Sequence, residues 1–283
     1  MGSRPDGLVE IDGRLFFGPF AVIAELAPVH LTISGFYEGF YADFFLQRVH
    51  TLAYDLETIV GLVRSRGART VLELASGAGR LTLPLARAGL DVHAVDLSQT
   101  LLDVLERDAE AEGLSERVSA QRADVLSLAL DRRFDVVLLA GWITPTLLGD
   151  DPSGLLGVVR EHLAPGGAFV FDRFPDDDVA GGASDDFRGR WTTHGGRRAF
   201  SLVGERQLRD PPRRVVNAYT EVLDDEGRAV ARHMTSDTER NPPGREVLAA
   251  IERAGFEVVQ ERDAPGDGGV FSHVTVAVDA AGR

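Results

Sequence analysis

What most constrains this chain is the regular alternation of short apolar segments with helix-period segments between residues 70 and 172. Residues 70–75, 91–96, 118–123, 134–140 and 168–172 read as strands, and 81–88, 99–112 and 154–163 as helices. Strands separated by helices imply a parallel sheet covered on both faces. The unbroken apolar centre Val136-Val137-Leu138-Leu139 is what burial on both faces demands. Residues 164–167, Ala-Pro-Gly-Gly, supply a turn back into the sheet. Before this block, residues 54–66 show helical spacing and Gly67 ends the run as a helix-terminating glycine.

The strongest local signal lies at residues 71–80, where an apolar strand runs into a glycine-bearing turn and then a helix. Gly77 and Gly79 let the backbone approach a ligand with no side chain in the way, and the next helix offers unpaired N–H groups. Asp96, which closes the following strand, stands where an acidic residue takes ribose hydroxyls. The dinucleotide pattern G-x-G-x-x-G is not met, because Arg80 and Thr82 occupy the positions a third glycine would need. A nucleoside ligand is expected, and a dehydrogenase is not.

Composition narrows the chemistry. The chain has 283 residues, enough for one large core or for a core of about 150 residues with a smaller second layer. It has no cysteine, so disulfides, thiolate metal sites and thiol catalysis are excluded. The formal net charge of −14 opposes a nucleic-acid substrate, although acidity also serves solubility. No stretch approaches the roughly 18 apolar residues of a membrane span, and no apolar run follows the first residues as in a secretory signal. The expectation is a cytoplasmic protein with no membrane and no nucleic-acid partner.

The flanks read differently. The first 50 residues crowd Phe16, Phe17, Phe20, Phe36, Tyr37, Phe40, Tyr41, Phe44 and Phe45 into a segment that must bury against something. After Pro175 an acidic, glycine-rich run at 176–186 reads as a lid-like loop. Residues 190–238 hold three stretches of partial alternation, with turns at Gly195-Gly196, Asp210-Pro211-Pro212 and 224–227, which read as antiparallel hairpins. Residues 244–254 read as a helix, and 256–262 and 270–278 as strands. The expected organisation is an aromatic cap at 1–53, a core at 54–175, an inserted antiparallel layer at 176–242, and a C-terminal helix and strands at 243–283 that complete the sheet.

With Glu73 and Gly77-Ala78-Gly79 the chain resembles the class I S-adenosylmethionine-dependent methyltransferases, whose first motif reads acidic-x-x-x-Gly-x-Gly. Ala75 replaces the first glycine often seen there. The resemblance implies an α/β, Rossmann-like sheet with helices on both faces, an antiparallel layer inserted after the fifth strand and an aromatic helical N-terminal segment. It implies that Glu73, Ala75, Gly77 and Gly79 surround the methionyl part of S-adenosyl-L-methionine and that Asp96 holds the ribose. By the same resemblance Leu97 packs on the adenine, Asp124 and Val125 meet its edge, and Ala140 and Gly141 line the cofactor. Trp142 and Arg173 end neighbouring strands, where ligands bind; Trp142 is a ligand contact or a core residue, and Arg173 a carboxylate anchor or a surface residue.

The flanks also resemble the N-methyltransferases of antibiotic amino sugars, through Tyr37-Glu38-Gly39-Phe40-Tyr41 and the late antiparallel sheet. For an amine acceptor, aromatic rings stabilise positive charge, so Tyr37 and Tyr41 become candidates for orienting the nitrogen, with Tyr219 as a wall residue; each ring serves equally well as packing. The seven histidines show no metal-ligand spacing. His93 and His162 read as structural, while His30, His194 and His233 fall in segments that can cover a site. Without a metal cluster the reading tilts to N-methylation of a small molecule or short peptide, possible homodimers included. O- or C-methylation, and a noncatalytic regulator of the same fold, are the alternatives.

Overall fold

The computed structural model describes residues 7–35, 39–41, 55–141, 143–149, 151–173, 185–209, 212–266 and 269–280. In chain order the elements begin with β1 (Leu8–Ile11), β2 (Arg14–Phe17), α1 (Gly18–Leu26), β3 (Leu31–Ser34), α2 (Leu56–Ser65), β4 (Thr70–Leu74), α3 (Thr82–Arg87), β5 (Asp91–Asp96) and α4 (Gln99–Ala111). There follow β6 (Val118–Arg122), β7 (Phe134–Leu139), α5 (Thr144–Leu148), α6 (Ser153–His162) and β8 (Leu163–Arg173). The last are β9 (Asp186–His194), β10 (Arg197–Arg209), β11 (Pro212–Leu223), β12 (Ala229–Arg240), α7 (Gly244–Arg253), β13 (Phe256–Gly266) and β14 (Gly269–Asp279). The chain divides into two compact units, Met1–Arg48 with Ala180–Asn241, and Val49–Val179 with Pro242–Arg283.

The larger unit holds a seven-stranded sheet in the order β13-β14-β8-β7-β4-β5-β6. Strands β8, β7, β4, β5 and β6 run parallel, and β14 is antiparallel to both of its neighbours. The period of two sorts each strand between two apolar layers. Val71, Val136, Leu138, Val170, Val274 and Val276 meet Ile59, Leu62 and Val63 of α2. Leu72, Leu74, Val137, Leu139, Phe169 and Phe171 meet Leu155, Leu156 and Val159 of α6 and Val247 and Ile251 of α7. Each such side chain contributes about 1.5–3 kcal/mol of gross burial energy, and the buried polar exceptions Glu73 on β4 and Thr275 on β14 each have a side-chain hydrogen-bond partner. Strand order reverses at β4, so the loops after β4 and β7 flank the point where open α/β sheets bind ligands.

The smaller unit holds a five-stranded sheet in the order β3-β12-β11-β10-β9 and the separate hairpin β1-β2. The odd positions of β11 bury Asn217 and Tyr219 against the N-terminal segment. Asn217 Oδ1 accepts the Phe17 N–H at 3.1 Å and its Nδ2 donates to the Leu15 carbonyl at 2.9 Å. Tyr219 packs with Phe16, Phe20 and Met234. The expected turn at Gly195-Gly196 is present, with φ of +56° and +77°, and reverses β9 into β10 with His194 paired to Arg197.

Three details differ from the sequence reading. The N-terminal segment contains a hairpin and the strand β3 as well as a helix: Asp12-Gly13, with φ of +51° and +75°, makes the hairpin turn, and β3 pairs in parallel with β12. The late insertion forms four strands in place of three. Residues 164–167 lie inside β8, where Gly167 stands so close to carbonyl oxygens that a Cβ would fall 2.9 Å from that of Ala164 and 3.0 Å from that of Asp135. The expected lid at 176–186 falls almost wholly outside the described residues. Among the described residues no helix is long and apolar enough to cross a membrane.

Candidate active site

Strand β4 ends in a loop of left-handed backbone, with φ of +53° at Ala75, +56° at Gly77 and +89° at Gly79. The loop is tied to the next strand twice. Ser76 N–H donates to the Val95 carbonyl at 3.0 Å, and Gly77 N–H donates to Asp96 Oδ2 at 2.8 Å. The other oxygen of Asp96 accepts the Ser98 N–H at 2.8 Å, just before α4, whose first turn Ser98 caps through its hydroxyl. Asp96 therefore fixes the glycine loop and the start of the next helix in one arrangement, and each of its oxygens keeps a lone pair for a further donor such as a ribose hydroxyl.

The two glycines do different things. A Cβ on Gly77 would lie 3.9 Å from Leu101, in ordinary contact, so the loop surface there is open. A Cβ on Gly79 would lie 2.4 Å from Leu105 Cδ1, so this glycine lets α4 pack onto the loop. Ala75 holds a left-handed conformation that costs an L-residue roughly 1–2 kcal/mol and that the more usual glycine would adopt freely.

Glu73 is buried on β4, where it accepts the Thr82 hydroxyl at 2.5 Å. Burial pushes its pKa up to about 7 against the opposing pull of Thr82 and Arg80, so near neutrality the carboxyl exchanges readily between its protonated and ionised forms, and a nearby cation would favour the ionised one. Arg80, at the end of the loop, forms a bidentate ion pair with the fully buried Asp55 ahead of α2. Ser76 is buried and its Oγ has no hydrogen-bond partner among the described residues. An orphaned hydroxyl and an open glycine on the loop, with a carboxyl on β4 whose pKa is raised toward neutrality, fit a polar, cationic guest.

The loops after β5 and β6 present apolar surface. Leu97 is 63% exposed and Leu126 43% exposed, unusual for leucine in a well-filled core unit. Asp124 caps the short turn at 125–127 by accepting the Leu126 N–H at 2.9 Å, and the Val125 side chain is buried in the core, which leaves its backbone to meet a ligand. After β7, Gly141 has φ of +104° with nothing within 4 Å of where a Cβ would be, and its N–H donates to the buried Asp172 at 2.9 Å. Ala140 packs against the layer under α2. Trp142 lies outside the described residues. Arg173 is buried and pairs with Glu261 at 2.7 Å, so its charge is matched inside the same unit.

In the smaller unit, Tyr37 lies outside the described residues. Tyr41 is buried; its hydroxyl donates to the His233 carbonyl at 2.9 Å, and burial raises its pKa further above the ordinary phenol value. Tyr219 donates to Glu221 at 2.7 Å with its ring in the apolar cluster, a packing position where the sequence offered a wall residue. His162 is structural: Nδ1 bonds the Val158 carbonyl at 2.7 Å and Nε2 accepts the Leu130 N–H at 2.9 Å. His93 bonds Ser119 and Gln121 across the sheet. His194 and His233 come together around Phe40. Among the described residues no group of three or more His, Asp or Glu side chains is placed to hold a metal ion. Sequence reasoning missed Ser76, the Asp55–Arg80 pair and Leu126, of which only the Leu126 position, beside Asp124, carried a readable signal.

Residues 71–167 match the family described as a methyltransferase domain. Over 132 residues the chain is 36% identical to the cypemycin N-terminal methyltransferase of a Streptomyces species, which covers 42% of this chain and 52% of that protein. The chain thus spans about half the length of that relative, and less of the release factor glutamine methyltransferase of Rhodopirellula baltica, at 31%. The structure resembles the CcbJ methyltransferase of Streptomyces caelestis, with a TM-score of 0.66 and 26% identity over 80% of this chain and 90% of that one. It also shares its fold with the glycopeptide N-methyltransferase MtfA complexed with S-adenosyl-L-homocysteine, with a TM-score of 0.63 and 24% identity over 93% and 98% of the two chains. The glycine loop and the carboxylate closing β5 thus lie within the segment that matches a methyltransferase domain, in a Rossmann-like fold shared with solved methyltransferases.

Proposed function

We propose that the chain is a methyltransferase that passes the methyl group of S-adenosyl-L-methionine to an amine nitrogen of a small-molecule or peptide natural product. The observation that carries the cofactor half is the loop 73–79, tied by Asp96 and bearing the orphaned Ser76 Oγ and the Glu73 carboxyl with its raised pKa. The amine acceptor draws support from the similarity to the cypemycin N-terminal methyltransferase.

When bound, the cofactor supplies an electrophilic methyl on a sulfonium. Asp96 is placed to hold the ribose hydroxyls, since both of its oxygens are already fixed by backbone donors. Leu97 and Leu126 offer apolar surface for the adenine, and Asp124 and Val125 would meet its edge. Glu73, in its ionised form, would balance the cationic methionyl end, its proton passing to solvent, and Ser76 Oγ would gain a hydrogen bond. Alkyl transfer then depends on holding a deprotonated acceptor in line, about 3 Å from the methyl carbon. Tyr41, its proton committed to a backbone carbonyl, serves this reading as a positioning residue and not as a base.

The test has two stages. S-adenosyl-L-homocysteine should bind by calorimetry, and turnover should then appear with pooled amines and not with pooled phenols and alcohols. Turnover on hydroxyl acceptors alone would move the assignment to O-methylation, which the ubiquinone biosynthesis O-methyltransferase of Methylococcus capsulatus, 29% identical over 107 residues, keeps in play. Binding without turnover on any acceptor would favour a regulator of the same fold.

A further inference from the structure

A second recess lies wholly within the smaller unit, where no site has been assigned. It is an open recess of about 420 Å³ lined by residues including Phe40, His194, Arg197, Val222, Ala231 and His233. The volume is within the range of small-ligand sites. Its wall is aromatic: the His233 ring stacks on Phe40 at 3.9 Å with an interplanar angle of 5°, and His194 lies 4.5 Å from the same ring. Its floor is aliphatic. Against these surfaces stand two polar groups with no partner among the described residues. His194 Nδ1 is buried with no hydrogen bond, and the exposed Arg197, directly opposite His194 across the hairpin, makes no ion pair among the described residues.

A buried imidazole nitrogen without a partner is destabilising unless a ligand satisfies it. An unpaired guanidinium beside it selects an acceptor of negative charge, and its planar fork matches a carboxylate. The His233 imidazole supplies no fixed positive charge of its own, because burial and the neighbouring His194 hold its pKa below the ordinary value. The aliphatic and aromatic walls call for an apolar body attached to that carboxylate. We propose that the recess between Phe40, His194, Arg197 and His233 binds the carboxylate of an aromatic or short acyl acid. The inference concerns this unit alone and stands whatever the acceptor of the methyl group.

The experiment titrates the full chain with benzoate, benzamide and benzylamine, reading heat by calorimetry and the His194 and His233 ring resonances by NMR. Benzoate should bind, shift both imidazoles and outcompete the neutral and cationic analogues by at least tenfold. Arg197→Ala should lower benzoate affinity at least tenfold and Arg197→Lys less, while the thermal melt and affinity for S-adenosyl-L-homocysteine stay at wild-type values. Equal binding of all three probes, no binding of benzoate, or an unaltered benzoate affinity in Arg197→Ala would each overturn the assignment. Retained homocysteine-nucleoside binding alongside any of those results would leave the methyltransferase reading standing.

Discussion

The Asp96 carboxylate accepts the Gly77 N–H through one oxygen and the Ser98 N–H through the other, each at 2.8 Å, so one side chain holds both the glycine loop and the start of α4. Asp96→Ala removes two charge-assisted bonds along with any ribose contact. Affinity for S-adenosyl-L-homocysteine should fall about 10- to 100-fold, since one such bond contributes roughly 1.5–3 kcal/mol. Asp96→Asn keeps one acceptor oxygen but turns a donor toward the other N–H, so it should fall between. Unchanged affinity by calorimetry in both variants would remove Asp96 from the cofactor site.

Glu73 makes cofactor binding a proton-linked event. With its pKa raised by burial to about 7, the carboxyl is largely protonated at pH 6 and ionised by pH 8.5. A cationic ligand favours the ionised form, so binding at pH 6 should release up to one proton and at pH 8.5 almost none. Calorimetry in buffers of different ionisation enthalpy measures this directly, and Glu73→Gln should abolish the buffer dependence. The same shift acts on folding. A pKa raised from 4.5 to about 7 gives stability that is fully present below pH 4.5 and lost as pH climbs to 7, about 3 kcal/mol at most. Glu73→Gln should flatten that part of the stability profile.

Ala75 sits at φ +53°, where glycine is the relaxed residue. Ala75→Gly should relieve about 1–2 kcal/mol of backbone strain and give back part of it through the freer unfolded chain, for a net gain of about 0.5–1 kcal/mol. In a chain of 283 residues that is an increase of about 1–3 °C in the melting temperature. A lower melting temperature would mean that the alanine methyl is needed for packing.

The cofactor half was legible because its signals are local. A strand, a glycine turn, a helix and a terminal aspartate follow one another within residues 71–96, and the two-residue period sorts Val71 and Leu72 to opposite layers without any knowledge of distant partners. The smaller unit was legible only in its turns. Gly195-Gly196 announced a hairpin, and Asp12-Gly13 did so too, but the aromatic density around it drew the reading toward a helical cap. The pairing of β3 with β12 joins residues about 200 apart, which no local pattern encodes. Ionisation of Glu73, the orphaned Ser76 hydroxyl and the packing role of Gly79 all depend on burial, which appears only once the chain is folded.

Tyr41 can be tested without assuming where the acceptor lies. Its hydroxyl donates to the His233 carbonyl at 2.9 Å, and Tyr41→Phe leaves that buried acceptor unpaired, a cost of about 1–2 kcal/mol in stability. If Tyr41 positions substrate, turnover should fall by more than the lost folded fraction explains, and KM for the acceptor should rise while cofactor affinity holds. Wild-type kinetics in a variant with a lowered melting temperature would confine the residue to packing.

Gly79 separates a packing requirement from a binding one. A Cβ there would stand 2.4 Å from Leu105 Cδ1, and the backbone at φ +89° already excludes most side chains. Gly79→Ala should therefore destabilise the protein by about 2–4 kcal/mol, combining overpacking with left-handed strain. Trimming the neighbour tests the cause. Leu105→Ala alone should cost about 2–4 kcal/mol, because its side chain is fully buried. The double variant should cost less than the sum of the singles, because the methyl added at 79 enters the space that Leu105 vacates. Strict additivity in denaturant unfolding would show that α4 shifts to accommodate the methyl, and the close approach of helix and loop would then have no bearing on why position 79 is glycine.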